Sequence, residues 1–256
     1  LTGLLLVLAV GYVILHGSSA ITKLCSVLVP LMALLYFASC LLLLIKNSSY
    51  LLPSLTLICT SAFTPTAAFG GIAGGSLLLS ARYGIARGLF TNEAGIGTGP
   101  LAFTEQKESS PEQAALLSMS AVFWDTVILC ALTGIVIVSA LLRSPEAAKG
   151  YSPTALTGIA FSSLPFGELL LGISLIAFAF ATLIGWSFFG GQAITYLFDA
   201  TALTSYRICY LFMIFLGSVL SLPLVWELTD FINACMVIPN VLALFFLRKS
   251  IKTPNP

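Results

Sequence analysis

Charged residues are scarce in this sequence. Only 8% of its 256 residues are Asp, Glu, Lys or Arg, whereas 58% are hydrophobic. A soluble domain carries about 25% charged residues, so a chain with this composition could not cover a water-exposed surface. Lipid is therefore the predicted solvent for most of the chain. The net charge of +1 provides no basic field for nucleic acid, so no nucleic-acid partner is expected.

Histidine and paired cysteines are lacking as well. His16 is the sole histidine, which excludes a His-based catalytic triad and a zinc site with several His ligands. The six cysteines all lie in apolar runs without a CxxC pair, which is typical of small buried side chains. The GGIAGG stretch lies inside an apolar run, so it is not the glycine fingerprint of a nucleotide site. We therefore predict neither an enzyme nor an organic cofactor.

Long apolar runs, in contrast, fill the chain. A membrane-spanning helix needs about 20 mostly apolar residues, and seven runs meet or approach that length. They are residues 1–16, 24–46, 51–81, 113–142, 167–198, 206–223 and 225–247. The first run looks cut short and begins at Leu1, so we interpret the sequence as one that starts inside a larger protein. The sequence predicts an all-α polytopic membrane protein.

The positive charges give the orientation of these runs. Cytoplasmic loops of membrane proteins are enriched in Lys and Arg. When the flanks are numbered alternately, one side carries eight such residues and the other carries three. The richer set is Lys23, Arg82, Arg87, Lys107, Arg207, Arg248, Lys249 and Lys252; the poorer set is Lys46, Arg143 and Lys149. We predict a cytoplasmic C-terminal tail and an external loop over residues 143–166, with a short helix over 154–164.

The third apolar run contains residues that disfavour a regular helix. Pro65 and the glycines at positions 70, 71, 74 and 75 all fall inside it. One interpretation is a helix broken at mid-membrane whose free backbone groups line a cavity. The alternative is close helix packing, since the glycines are spaced by four residues.

Three other positions are candidates for a site within the membrane. Asp125 lies deep in its run, where an ionisable group usually marks an ion or proton path. The alternative is a neutral Asp125 that is hydrogen-bonded to Ser120 or Thr126. Thr182 and Trp186 are four residues apart and share one helical face, where we expect them to line a site. There are two alternatives. Thr182 could be hydrogen-bonded to its own backbone, and Trp186 could lie at the lipid interface.

Five motifs in order resemble the alanine or glycine:cation symporter family. The polar segment, residues 88–100, reads GLFTNEAGIGTGP and with Arg87 resembles the signature RGLFSNEAGxGSAP. The other four motifs are LVPLMALLYF (28–37), VFWDTVILCALTG (122–134), AFAFATLIGWSFFGG (177–191) and VWELTDFINACMVIPN (225–240).

The resemblance implies a leucine-transporter-type fold of two inverted five-helix repeats, of which this chain carries template helices 4–10 with helix 6 broken. Residues 1–46 would be the last two helices of the first repeat, the first of them truncated. Residues 47–247 would be the second repeat, and residues 248–256 a cytoplasmic tail.

The resemblance also implies sodium-coupled symport of alanine or glycine across the cell membrane. Carried over by position, Gly70, Gly71, Thr182 and Trp186 would bind the substrate. The Phe178 carbonyl and the Thr182 hydroxyl would bind sodium.

The resemblance places the polar segment in the inner loop between template helices 6 and 7, beside a cytoplasmic gate. Arg87, Asn92 and Glu93 would belong to this gate loop. The alternative is that the segment is only a tight connector.

The chain departs from the family pattern in three places. Template helix 1 is absent, Ala181 stands where the family has Ser, and Phe188-Phe189-Gly190-Gly191 replaces YYGE. The expected partners are therefore the amino acid, sodium, the bilayer and a separate N-terminal half. A degenerate half with a structural or partner-binding role and no transport alone is the second hypothesis. Proton coupling through Asp125 is the third.

The predicted orientation can be tested by cysteine labelling in whole cells. On a cysteine-free background, an impermeant thiol reagent should modify a cysteine at Ser152 and spare one at Ser109, because only residues 143–166 of these two loops are expected outside. The reverse labelling pattern would overturn the orientation derived from the charges.

Overall fold

The computed structural model describes residues 1–62, 84, 87–88, 90–93, 95–103, 110–148 and 155–248. Every regular element in these ranges is helical. The helices of the first part are α1 (Thr2–Leu15), α2 (Ser18–Lys46) and α3 (Leu51–Ala62). Helix α4 joins Pro111–Val122, a π-helical stretch Phe123–Cys130 and Ala131–Arg143. Then follow α5 (Leu156–Phe161), α6 (Gly167–Phe198), α7 (Leu203–Val219) and α8 (Leu222–Leu247).

Five helical stretches in the described ranges are long and apolar enough to cross a membrane. They are Ser18–Lys46, Glu112–Arg143, Gly167–Phe198, Ala200–Val219 and Leu222–Leu247. The prediction of an all-α polytopic membrane protein is confirmed at this level. The break predicted within residues 51–81, at Pro65 and at glycines that include Gly70 and Gly71, lies outside the described residues.

Helices α2 and α6 form the centre of the fold because both contribute to its two buried clusters. One cluster combines Tyr36 and Leu43 of α2 with Val136 of α4, Phe161 of α5 and Leu171 of α6. These residues are 0–8% exposed, which is the burial expected of a continuous apolar core.

The second cluster lies at the other end of α2. It joins Val10 and Ile14 of α1 to Ile21 of α2, Ile184 of α6 and Ile214 of α7. The pair α2 and α6 therefore holds α1 and α7 on one side and α4 and α5 on the other. A polar contact also links α2 to α4 beside the first cluster. The Tyr36 hydroxyl and Thr133 Oγ1 of α4 form a hydrogen bond of 2.8 Å.

The short helix expected within residues 154–164 is present as α5. Its last residue, Phe161, is fully buried and stacks on Tyr36 with ring centroids 5.8 Å apart. Lys46 Nζ donates a hydrogen bond to the Ser163 carbonyl, just after α5. The chain then turns into α6 through Phe166, whose φ of 60° is left-handed. These contacts dock α5 in the core.

Gly167 is required by this turn, and its replacement provides a test of the docking. A Cβ at Gly167 would overlap the Phe161 carbonyl oxygen and lie 2.8 Å from the carbonyl carbon, and both are backbone atoms that cannot rotate away. We expect Gly167→Ala to lower the free energy of unfolding by about 1–3 kcal/mol, as overpacking does. Thermal unfolding of the purified protein in detergent measures this change.

Gly172→Ala is the matched control, because nothing lies within 4 Å of a Cβ at that position of the same helix. Alanine favours helix over glycine, so this variant should be at least as stable as the wild type. Equal stability of the two variants would contradict the docked position of α5.

Candidate functional site

The polar segment lies between α4 and α8, beside the middle of α4 and along α8 between Trp226 and Asn240. Thr126 Oγ1, near the middle of the span Glu112–Arg143, donates a hydrogen bond to Asn92 Oδ1. Asn240 Nδ2 of α8 donates to the Gly95 carbonyl at 2.8 Å. Asn240 stands about two helical turns from the end of α8. The polar segment is thus bonded to spanning helices on both sides.

The backbone of the polar segment is irregular where it makes these contacts. Glu93, Gly95 and Gly97 have φ angles of 51°, 78° and 92°. Gly97 also approaches α8 closely, since a Cβ built on it would lie 2.8 Å from Asn240 Oδ1. Thr98 is 2% exposed and donates its hydroxyl hydrogen to the Glu93 carboxylate. The polar groups of the turn are therefore satisfied locally and by the two helices.

A second connection holds the start of the polar segment on α8. Arg87 Nη2 donates to Asp230 Oδ2 at 2.5 Å, and the two side chains are 33% and 38% exposed. The Arg87 guanidinium carbon also lies 4.0 Å from the centre of the Trp226 ring. Phe90 packs edge-on against the same indole, with ring centroids 5.9 Å apart. The side chains of Arg87, Phe90, Trp226 and Asp230 form what we call the clamp.

A cleft of about 400 Å³ lies along α8 beside the polar segment. Its walls are mostly apolar, and Asp230 and Asn233 contribute its polar groups. The lining residues are Phe90, Ile96, Asp230, Asn233, Ala234, Val237 and Ile238. A cleft with apolar walls and a few polar groups has the character of a small-molecule site.

Arg87, Asn92 and Glu93 are the residues predicted for a cytoplasmic gate loop. In the structure Arg87 contacts Trp226 of α8. Asn92 accepts a hydrogen bond from Thr126 of α4, and Glu93 accepts one from Thr98 within the polar segment. Polar, glycine-rich sequence usually indicates a surface loop, but here it is bonded to partners on α4 and α8. The gate role of these residues stays a prediction.

The sequence does contain a signal for this position. Trp226, Asp230, Asn233, Val237 and Asn240 recur every three or four residues, so they form one face of α8. A face with one carboxylate and two amides in an otherwise apolar helix indicates a polar partner.

Asp125, the predicted intramembrane charge, lies in the π-helical stretch Phe123–Cys130 of α4. Within the described residues its side chain is exposed, and no residue of this stretch is buried. The two predicted hydrogen-bond partners are engaged elsewhere, since Ser120 donates to the Leu117 carbonyl and Thr126 to Asn92. An ion or proton path at Asp125 stays a prediction.

Thr182 and Trp186 form a separate group on α6. They are one turn apart on a single continuous helix, as expected, with Thr182 exposed and Trp186 half-buried. Trp186 packs edge-on against Phe189, with ring centroids 6.1 Å apart. The Phe178 ring, one turn before Thr182, packs edge-on against Tyr36 of α2, with ring centroids 5.8 Å apart. The exposed Thr182 hydroxyl therefore lies next to a part of α6 that is packed in the core.

Comparison with known proteins gives a consistent result over the whole chain. The model of the sodium:alanine symporter family matches residues 1–254. The sodium/alanine symporter AgcS of Methanococcus maripaludis is 36% identical over 248 residues, which is 96% of this chain and 54% of AgcS.

Two further relatives match over a similar length. The protein named "Probable sodium/glutamine symporter GlnT" of Bacillus subtilis is 34% identical over 98% of this chain and 52% of its own length. A sodium/proton-dependent alanine carrier protein of Bacillus sp. strain PS3 is 26% identical over 97% of this chain and 59% of its own. The chain thus spans about half the length of the curated relatives it matches.

The hydrogen bond from Thr126 to Asn92 can be tested by removing the hydroxyl. Thr126→Val keeps the shape of the side chain but leaves the Asn92 amide oxygen without this donor. We expect a loss of about 1–3 kcal/mol in the free energy of unfolding, the cost of an unsatisfied buried polar group. Thermal unfolding in detergent measures the loss.

Thr56→Val is the control, since Thr56 is exposed and donates only to the Leu52 carbonyl of its own helix. This variant should change the stability far less. Equal effects of the two substitutions would argue against the contact between the polar segment and α4.

Proposed function

Because the chain belongs to the sodium:alanine symporter family, a family of transporters and not of enzymes, we propose that it takes part in sodium-coupled symport of small neutral amino acids across the cell membrane. The observation that carries this proposal is the irregular polar segment between α4 and α8. Within a bilayer, non-helical backbone is tolerated only where it is buried in protein or lines a water-filled cavity. The transporter folds that share this feature bind solute near the membrane midplane.

The proposed substrate class follows from the relatives and from the walls of the cleft. Alanine appears in the names of two of the three relatives described above and glutamine in the name of the third. Apolar walls at Ala234, Val237 and Ile238 favour an uncharged side chain, while Asp230 and Asn233 provide polar groups. Alanine or glycine is the proposed substrate, and Gly70, Gly71, Thr182 and Trp186 are proposed to bind it.

Sodium is the proposed coupling ion, held in part by α6. Hard cations prefer oxygen ligands, and α6 offers the Phe178 carbonyl and the Thr182 hydroxyl one turn apart. The Thr182 side chain is exposed, so its hydroxyl is accessible to an ion. Ala181, in contrast, is 7% exposed and has no side-chain oxygen.

The arrangement in the membrane is part of the same proposal. Residues 1–46 are assigned to the first repeat of a leucine-transporter-type fold and residues 47–247 to the second. The tail, residues 248–256, is assigned to the cytoplasm. The order of the five motifs and the excess of Lys and Arg on one side support these assignments.

Uptake by the full gene product in proteoliposomes tests the function. An inward sodium gradient should drive accumulation of labelled alanine, and excess unlabelled glycine should compete more strongly than glutamine. Liposomes without protein, and proteoliposomes with potassium in place of sodium, are the controls. Alanine uptake driven equally well by a proton gradient without sodium would overturn sodium coupling, and absence of any uptake would overturn the proposal.

Removal of the Thr182 hydroxyl tests the ion site. Thr182→Val keeps the shape but removes one oxygen, and hydrogen bonds to charged groups are worth about 1.5–3 kcal/mol. The sodium concentration for half-maximal uptake should therefore rise by roughly tenfold or more, since about 1.4 kcal/mol is a factor of ten.

Ala181→Ser should shift the sodium dependence in the opposite direction, because it restores the oxygen present in the family. If Thr182→Val leaves the sodium dependence unchanged while alanine uptake stays intact, α6 does not bind the coupling ion.

A further inference from the structure

We propose that the clamp positions the polar segment for solute binding, with Asp230 as the positioning residue on α8. This inference rests on the proposed function and adds a role for α8. Asp230 would act through Arg87, by fixing where the polar segment begins, and so would set the affinity for the solute.

The clamp and Asn240 hold the two ends of the irregular backbone. Arg87 and Phe90 are fixed on Trp226 and Asp230, and Gly95 is fixed on Asn240. Glu93, with its left-handed φ of 51°, lies between these two points of attachment. A segment that is irregular between two fixed points depends on both of them for its position. Release of the clamp would therefore displace Asn92 and Glu93.

The charges of the clamp depend on one another. Among the described residues, Arg87 Nη1 is buried and has no hydrogen-bond partner. The guanidinium is therefore compensated by the Asp230 carboxylate through Nη2 and by the face of Trp226. An ionised group within a membrane-spanning bundle is costly without a partner. Removing one member of such a pair costs far more than replacing both members with neutral groups.

The location of the cleft connects the clamp to the solute. Phe90 and Asp230 are members of the clamp and also line the cleft. Ile96, beyond Glu93 on the polar segment, lines the same cleft and is 5% exposed. A shift of the polar segment relative to α8 would therefore change the shape of the cleft directly. This link distinguishes a positioning role from a contribution to stability alone.

A double-mutant cycle on the full gene product tests the inference. Asp230→Asn keeps the shape and removes the charge, and Arg87→Gln does the same for its partner. Each single variant should raise the half-saturating alanine concentration by at least about tenfold, because it leaves an uncompensated charge. The double variant, which retains two neutral hydrogen-bonding groups, should recover to within about threefold of the wild type.

The matched control is Glu227→Gln, the same loss of a carboxylate three residues away on α8. Glu227 has an exposed side chain, so its replacement should leave the half-saturating concentration unchanged. Maximal uptake is normalised to the amount of protein in the membrane, which separates poor insertion from poor binding. A purely structural role would reduce the amount of protein while the inserted protein kept its wild-type half-saturation.

The outcomes separate the inference from the proposed function. An unchanged half-saturating concentration in Asp230→Asn, or a double variant no better than either single one, would overturn the positioning role. If the wild type does not transport alanine, the proposed function fails instead. The unfolding temperatures of the same two single variants and the double variant then still test the clamp. A single variant less stable than the double variant supports the clamp, and additive losses contradict it.

Discussion

The need to satisfy backbone polar groups inside a membrane is the constraint on which this structure depends. The described helices α2, α4, α6, α7 and α8 meet it through their own hydrogen bonds and can therefore present apolar side chains to lipid. The polar segment cannot, because Glu93, Gly95 and Gly97 leave the helical conformation. Asn240 of α8 donates to the Gly95 carbonyl, and turn hydrogen bonds satisfy the amides of Glu93 and Ile96. The side chains of Glu93 and Asn92 accept hydrogen bonds from Thr98 within the segment and from Thr126 of α4. Irregular backbone at this depth is thus tied to specific side chains on two neighbouring helices.

The buried core of the described fold holds α4, which in turn contacts the polar segment. Helices α2 and α6 carry the two buried clusters, and the Tyr36–Thr133 hydrogen bond fixes α4 against α2. Helix α4 in turn presents Thr126 to the polar segment through its π-helical stretch. Because π-helical turns inside α-helices occur frequently at functional sites, the local widening of α4 is consistent with the proposed transport role. The part of α6 that carries Thr182 is fixed by the same core.

The helices could be predicted from the sequence, but the placement of the polar segment could not. Apolar runs of sufficient length marked α2, α6 and α8, so the existence of these helices followed from the hydrophobic effect and hydrogen bonding alone, even with Pro30 inside α2 and Pro239 inside α8. The depth of Asn92 depends on tertiary partners that are far away in sequence. The composition of the polar segment resembles that of a surface loop, and only the polar face of α8 at Asp230, Asn233 and Asn240 indicates otherwise.

The most direct test is the proximity of the polar segment to Asn240, about two turns before the end of α8. A Cβ built on Gly97 lies 3.5 Å from the Cβ of Asn240, within the range of about 3.5–4.5 Å that a disulfide requires. With the native cysteines replaced, Gly97→Cys with Asn240→Cys should form a disulfide under mild oxidation in membranes. Gly97→Cys with Leu247→Cys should not, because Leu247 lies about 10 Å further along the helix. Cross-linking to position 247 but not to position 240 would place the polar segment at the helix end and contradict the account.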